Sequence, residues 1–348
     1  MQKECTRCAY LCWHKYITLM ANEVDINEND LFRTHPKVLE RLLRDHTTQK
    51  NIFWATDSYA ELGEGFAFDD EITTEHITGA HGHIIQPRAV KDTQTQTQRS
   101  KEMAEVFTPS WICNLQNNLV DAEWFGRKDV FNIESKDGHA WTPIEEKITF
   151  PEGKTWQDYV RENRLEVSCG EAPYLVSRYD SVTGLPINPL NYRIGLLDRK
   201  LRIVSENTEK SGEWLTWAKE ALRATYGFEW QGDNLLLARE ALFFTFCDYY
   251  EAKFGESVPD RSLPGAAYII SWNIWQMDGL RFVIPGSCDK QYTKGVFGER
   301  IKCECPGCKK GTIDNHIGIK CLIKDWSYKG KEEEKKKVFF SSLVLPKK

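Results

Sequence analysis

The 348-residue chain has no apolar run approaching the ~20 residues that span a bilayer, which argues against a membrane helix. It shows no clear signal-peptide pattern either: the apolar CAYLCW is short, and His14 and Lys15 follow at once. The expectation is a soluble, cytoplasmic protein. There is no excess of positive charge. The net charge is −5, so any contact with nucleic acid must run through local patches. Nor is there an even set of cysteines. Eleven of them, read in an intracellular context, suggest thiols and metal ligands and not a disulfide frame. Internal repeats are absent too.

What is present suits a globular protein of two or three domains, or one large domain with insertions. Hydrophobic residues make up 41% of the chain, enough for a sizeable core. Twelve tryptophans are many; they serve as core or as platforms on which bases stack. Residues 1–20 stand apart, with Cys5, Cys8, Cys12 and His14 closely spaced. They read as a leader without packed structure or as a small metal site. Residues 21–100 read as an N-terminal cap. A helix is expected after Asn29-Asp30, with Leu39, Leu42 and Leu43 at i, i+3, i+4 spacing, and NIFWA (51–55) reads as a strand. The segment running into TQTQTQ reads as a linker, followed by a short helix near Lys101. Further on, 126–160 and 181–205 look irregular, 213–226 and 235–254 helical, and 266–274 a strand or buried helix.

Three pieces carry the chemistry. In LEVSCGEAPYL (165–175), Leu165–Val167 reads as a strand with Glu166 near its carboxyl end, Ser168-Cys169-Gly170 makes a turn, and Pro173 suits a first helical turn. In open α/β sheets ligands sit beyond the carboxyl ends of strands, against a helix N-terminus. The alternative is an ordinary strand–turn–helix junction. The second piece is a strand at 226–228 ending in Glu229, then Gly-Asp and a helix. An acid at such a strand end can hold a ribose diol, or be a plain surface carboxylate. The third is the apolar run 269–277, which meets Asp278.

Together the pieces resemble motifs I, II and III of class I S-adenosylmethionine-dependent methyltransferases, most of all the DNA adenine methyltransferases of restriction–modification systems. Upstream, Val106-Phe107-Thr108-Pro109 resembles that family's motif X, and it precedes motif I as it does there. The resemblance covers residues 100–280. It implies an α/β fold, a Rossmann-like sheet with helices on both faces; outside its reach the sequence reads as an N-terminal α-rich segment and a small C-terminal zinc knuckle. The cofactor-binding domain would span 101–300, with insertions at 113–160 and 181–222, and 301–348 would form the knuckle and tail. Phe107, Thr108 and Pro109 would line the methionine end of S-adenosylmethionine. Glu166, Cys169, Gly170 and Ala172 would form motif I, with Glu in place of the usual Asp and Ala172 where a second glycine is usual. Glu229 would grip the ribose and Asp278 the adenine amino group. Arg193, Arg199, Lys200 and Arg202, in the second insertion, would track a phosphate backbone or form a solvated loop.

One departure is large. The family's [DN]-P-P-[YF] tetrapeptide, which orients the target amine and stacks the flipped base, is absent. Asp325-Trp326-Ser327-Tyr328 keeps only an acid and an aromatic at matching spacing, so Asp325 and Tyr328 are the candidate catalytic pair. The resemblance thus implies methyl transfer to the N6 amine of adenine in DNA, within a restriction–modification or phage-defence system. The alternative is a catalytically incomplete DNA-binding subunit, or one completed by a restriction or specificity partner. Short Glu-x-Lys matches at Glu134–Lys136 and Glu145–Lys147 leave a nuclease as a third reading.

A metal site is legible independently. Cys305 and Cys308 form C-x2-C around Pro-Gly, and His316 and Cys321 follow as H-x4-C. Cys3His is a common structural zinc set, and Cys303 is an alternative fourth ligand.

Overall fold

The computed structural model describes residues 26–103, 105–106, 108–294 and 299–344. The Cys5, Cys8, Cys12 and His14 group, and Phe107, lie outside the described residues.

Near the start, α1 (Glu28–Thr34) and α2 (Pro36–Leu43) follow closely on one another. Pro36 opens α2, where a missing N–H costs nothing, and the spaced Leu39, Leu42 and Leu43 are fully buried. NIFWA makes only isolated bridges, Asn51 to Arg44 and Phe53 to Glu71, and no strand. The TQTQTQ run is helical, as α3 (Thr93–Met103). Its composition suggests a linker, but the Asp92 carboxylate accepts from the amides of Gln94 and Thr95 at 2.9 and 3.0 Å and caps the first turn. Next come α4 (Ser110–Phe125) and a hairpin of β1 (Asn132–Glu134) with β2 (Trp141–Pro143), then α5 (Trp156–Arg161), which starts on a Thr155/Asp158 capping box.

A three-stranded parallel sheet organises the rest: β3 (Arg164–Val167), β4 (Thr225–Glu229) and β5 (Ile274–Gln276), in that spatial order. Parallel neighbours need crossovers, and helices supply them. The β3–β4 connection holds α6 (Leu196–Asn207) and α7 (Ser211–Arg223). The β4–β5 connection holds α8 (Gly232–Phe254) and α9 (Leu263–Asn273). Residues 181–222 form most of the first of these crossovers. The four basic residues placed there do not face solvent as a phosphate track. Arg199 is buried on Asp121 (2.6 Å), Asn118 and Asn114. Lys200 donates to the carbonyls of Glu162 and Ala224, Arg193 pairs with Asp248, and Arg202 with Glu206.

One buried apolar cluster runs from Leu31 to Ile274, so the N-terminal segment shares its core with the sheet and helices. The opposite face of the sheet departs from the expectation of helices on both sides. There Phe228 and Trp275 pack on Ile323, Cys321 and Phe340 of a C-terminal unit. In that unit β6 (Tyr292–Lys294) pairs with β7 (Arg300–Lys302), α10 (Pro306–Lys310) follows, and β8 (Leu322–Lys324) pairs with β9 (Lys337–Phe339). No helix of the described residues is long and apolar enough to cross a membrane.

Candidate ligand pocket and metal cluster

A cavity of about 1010 Å³ opens where β3 and β4 end. Thr108, Glu166, Cys169, Gly170 and Glu229 all line it, so five of the nine cofactor-site residues read from sequence meet in one space. The turn after β3 is built by left-handed backbone. Ser168, Gly170 and Ala172 have φ of 50°, 52° and 62°. Ala172 keeps the conformation that a glycine would take without strain. No helix starts at Pro173. Instead the amide of Tyr174 donates to the Glu166 carboxylate at 3.4 Å, and the chain turns back.

Glu229 ties the two strand ends together. Its Oε2 accepts from the Gly170 amide at 2.9 Å and its Oε1 from the Gln231 amide at 3.2 Å. An ionised carboxylate has about four lone-pair sites, so acceptor capacity remains for a ligand diol. Glu166 is 8% exposed, and its Oε2 has no hydrogen-bond partner. A buried, unpartnered carboxylate oxygen in a cavity wall calls for a cation or donor.

The far wall was not legible in the sequence. Ala55, Thr56, Asp57, Ser58 and Phe68 come from the N-terminal segment, and Gln98 and Lys101 from α3. Gly232 admits them: its amide bonds the Trp54 carbonyl at 2.9 Å, and a Cβ there would lie 2.1 Å from the Phe53 carbonyl oxygen. Trp230 lines the cavity too and donates to the Ala55 carbonyl at 3.1 Å.

Other predicted residues sit elsewhere. Pro109 caps the start of α4, and Ala172 is buried in the turn; neither lines the cavity. Asp278 caps its own turn, accepting from the amides of Leu280 and Arg281, and pairs with the Arg281 side chain. Asp325 and Tyr328 do not line the cavity. Asp325 accepts from Ser327 in a local turn. Beside it Trp326 donates to Asn273 (2.8 Å) and lies under Arg223; Asn273 immediately precedes β5, and Arg223 stands two residues before β4. This is the amino end of the parallel strands, whereas Gly170 and Glu229 mark the carboxyl end.

Burial is the main force raising the carboxyl groups of Glu166, Glu171 and Glu229 above the ordinary range. Each holds its proton in the folded chain at pH values where the unfolded chain, near 4.5, has released it. Stability contributed this way falls as pH rises from the unfolded value towards the raised one. Glu166→Gln is therefore expected to raise the melting temperature at neutral pH, with the gain vanishing below about pH 4. Thermal unfolding across a pH series checks this; equal melting temperatures at pH 7 would refute it.

The second site lies in the C-terminal unit. The ligand atoms of Cys288, Cys305, Cys308 and His316 all fall within 4.8 Å of one another, close enough to hold a metal ion. His316 Nδ1 is 3.4, 3.6 and 3.7 Å from the sulfurs of Cys305, Cys308 and Cys288. Tetrahedral bonds of ordinary Zn–S and Zn–N length put ligand atoms about 3.5–3.8 Å apart. His316 Nε2 donates to the Thr312 carbonyl at 2.8 Å, which directs the Nδ1 lone pair to the sulfurs. In the C-P-G-C knuckle Gly307 is required, since a Cβ would sit 2.7 Å from Nδ1 of His316.

Cys321 is corrected: it is not in this group. It is fully buried beneath the sheet, its sulfur 3.5 Å from the Gln276 carbonyl, among Phe228, Trp275 and Phe340. Cys288 takes its place, from before the β6–β7 hairpin. The sequence offered no spacing signal for a ligand so far upstream of the knuckle. Cys303 stays outside as well, its amide extending the hairpin by a bond to Gln291.

The chain matches no family model, no curated protein and no solved structure.

Proposed function

We propose that the cavity beyond β3 and β4 binds S-adenosylmethionine, and that the chain is a Rossmann-like, methyltransferase-type protein acting on the N6 amine of adenine in DNA. The observation that carries this reading is the meeting of Glu229, Gly170 and the unpartnered Glu166 oxygen in one cavity at the carboxyl ends of parallel strands. When bound, the cofactor would supply a methyl group activated on a cationic sulfur. Glu229 would accept from the ribose hydroxyls with the lone pairs its amide partners leave open. Glu166 would ionise against the ligand's positive charge. Phe68 and Trp230 would cover the base. The Cys3His cluster would hold zinc as a closed, four-ligand structural site with no open coordination position for catalysis.

A second reading is favoured by the position of Asp325 and Tyr328. No acid–aromatic pair of the kind that grips a target amine lines the cavity from residues 325–328. In this reading the chain holds the cofactor, and a partner subunit supplies the amine-binding residues.

Isothermal titration with S-adenosylmethionine tests the pocket. Glu229→Ala is expected to weaken binding by about tenfold or more, the worth of a charge-assisted hydrogen bond. Unchanged affinity would refute the assignment of Glu229 to the ribose. Tritiated methyl transfer to unmethylated DNA then divides the readings: turnover by the chain alone favours the enzyme, binding without turnover the incomplete subunit.

A further inference from the structure

The ribbon of β6 and β7 has no core. Its register is Tyr292↔Lys302, Thr293↔Ile301 and Lys294↔Arg300, and all six residues are exposed. A two-stranded ribbon with neither face buried is marginal in water. Its support is at the root. Cys288 precedes β6 and Cys305 follows β7, and the two converge with Cys308 and His316. An ion held by these four would pin both legs of the ribbon at one point.

The ribbon's charge is unusual for this protein. Residues 288–320 hold seven Lys and Arg against four Asp and Glu, a net +3, in a chain whose total is −5. The remainder therefore carries −8. Three thiolates on a Zn²⁺ ion would take back one unit and leave the segment basic. The cations are also sorted by face. Directly opposed residues and those two apart share one face of a ribbon. Tyr292, Lys294, Arg300 and Lys302 thus lie together, with Thr293 and Ile301 on the other side. Arg300 stacks on the Tyr292 ring at 4.4 Å. Lys294 and Arg300 are direct cross-strand partners, an arrangement of like charges that weakens a sheet pair. The local cost is offset when a polyanion lies across the face.

We propose that this face of the metal-rooted ribbon is a nucleic-acid contact that lies against the phosphate backbone of duplex DNA. A two-stranded ribbon fits the width of the major groove. The charge argument points to a polyanion by itself; the choice of duplex DNA rests on the reading of the cavity given above.

The test uses the full chain loaded with zinc and fluorescence anisotropy on a labelled, unmodified duplex. Salt is varied from about 50 to 200 mM. The double variant Lys294→Glu, Lys302→Glu is expected to bind at least tenfold more weakly. Its salt slope should be lower by about 1.8, two phosphate contacts at ~0.9 each. Lys128→Glu, in the exposed bend after α4, should leave affinity unchanged. Metal analysis verifies that the double variant keeps its zinc, so a fold defect is recognised as such. A parent protein that does not bind duplex at low salt, or binds only single-stranded RNA, overturns the proposal. So does a double variant that binds like the parent. Titration with S-adenosylmethionine on the same samples separates the two ideas: loss of DNA binding with cofactor binding intact concerns the ribbon alone, and failure of cofactor binding concerns the cavity alone.

Discussion

Cys288→Ser is expected to leave the purified protein with no tightly bound zinc, while Cys321→Ser keeps one ion per chain. The two variants discriminate because the sequence spacing favours Cys321 and the geometry favours Cys288. Loss of one of four ligands opens a structural site, and apparent zinc affinities there amount to roughly 10–16 kcal/mol of binding free energy coupled to folding. Little else orders the surroundings. Among the described residues Val283, Cys288, Cys305 and Cys308 form a small local apolar cluster, and all six paired residues of the attached ribbon are exposed. Chelation or Cys288→Ser should therefore make residues 288–320 sensitive to limited proteolysis, with the sheet and helices intact. The Cys321→Ser variant should show the converse: zinc kept, stability reduced, since it places a hydroxyl in the dry layer between Trp275 and Phe340. Metal analysis by mass spectrometry decides. Zinc retained by Cys288→Ser and lost by Cys321→Ser would reverse the ligand assignment.

Arg99→Met is expected to destabilise the fold by about 3 kcal/mol, the low end of the cost of stranding a buried charge. Arg99 is 3% exposed. Its Nε donates to Glu105 at 2.5 Å, and one Nη reaches Gln231 at 2.6 Å and Asp233 at 2.8 Å. Asp233, at the start of α8, is fully buried, and Tyr59 also donates to it, at 2.9 Å. Burial works against the Asp233 anion, yet Arg99 and then Lys91 hold its carboxyl below the usual range. Lys91, at 3.8 Å, remains in the variant, which is why the low end is expected. Urea unfolding at neutral pH measures the loss. Adding Asp233→Asn should restore at least ~1 kcal/mol by removing the stranded charge; a loss below ~1 kcal/mol in Arg99→Met would show the network to be idle. The same arginine draws α3 and Glu105 against the β4 end. Lys101 of α3 and Gln231 both line the cavity, so the variant is also expected to bind S-adenosylmethionine more weakly.

Much of the frame is legible in particular residues. Leu39, Leu42 and Leu43 announce α2 by their spacing, and the strands read at Leu165–Val167 and Tyr226–Phe228 fall within β3 and β4. Composition misleads where one capping carboxylate outweighs it, as Asp92 does for the TQTQTQ helix. It misleads again at Arg199 and Lys200. In sequence they form a basic patch, but partners far along the chain, Asp121 and the Glu162 and Ala224 carbonyls, neutralise or solvate them inside the core.

Local order along the chain determined two things by itself: that strands near 165–167 and 226–228 are separated by helical sequence, and that a C-P-G-C turn presents two sulfurs side by side. Both rest on short-range geometry, the two-residue strand period and the tight knuckle around Gly307. Tertiary structure alone decided which residues join them. Phe68 and Lys101 complete the cavity, Cys288 displaces Cys321, and Asp325 ends at the wrong end of the sheet. Those outcomes depend on how crossovers and hairpins bring distant segments together, and spacing along a chain carries no information about that closure.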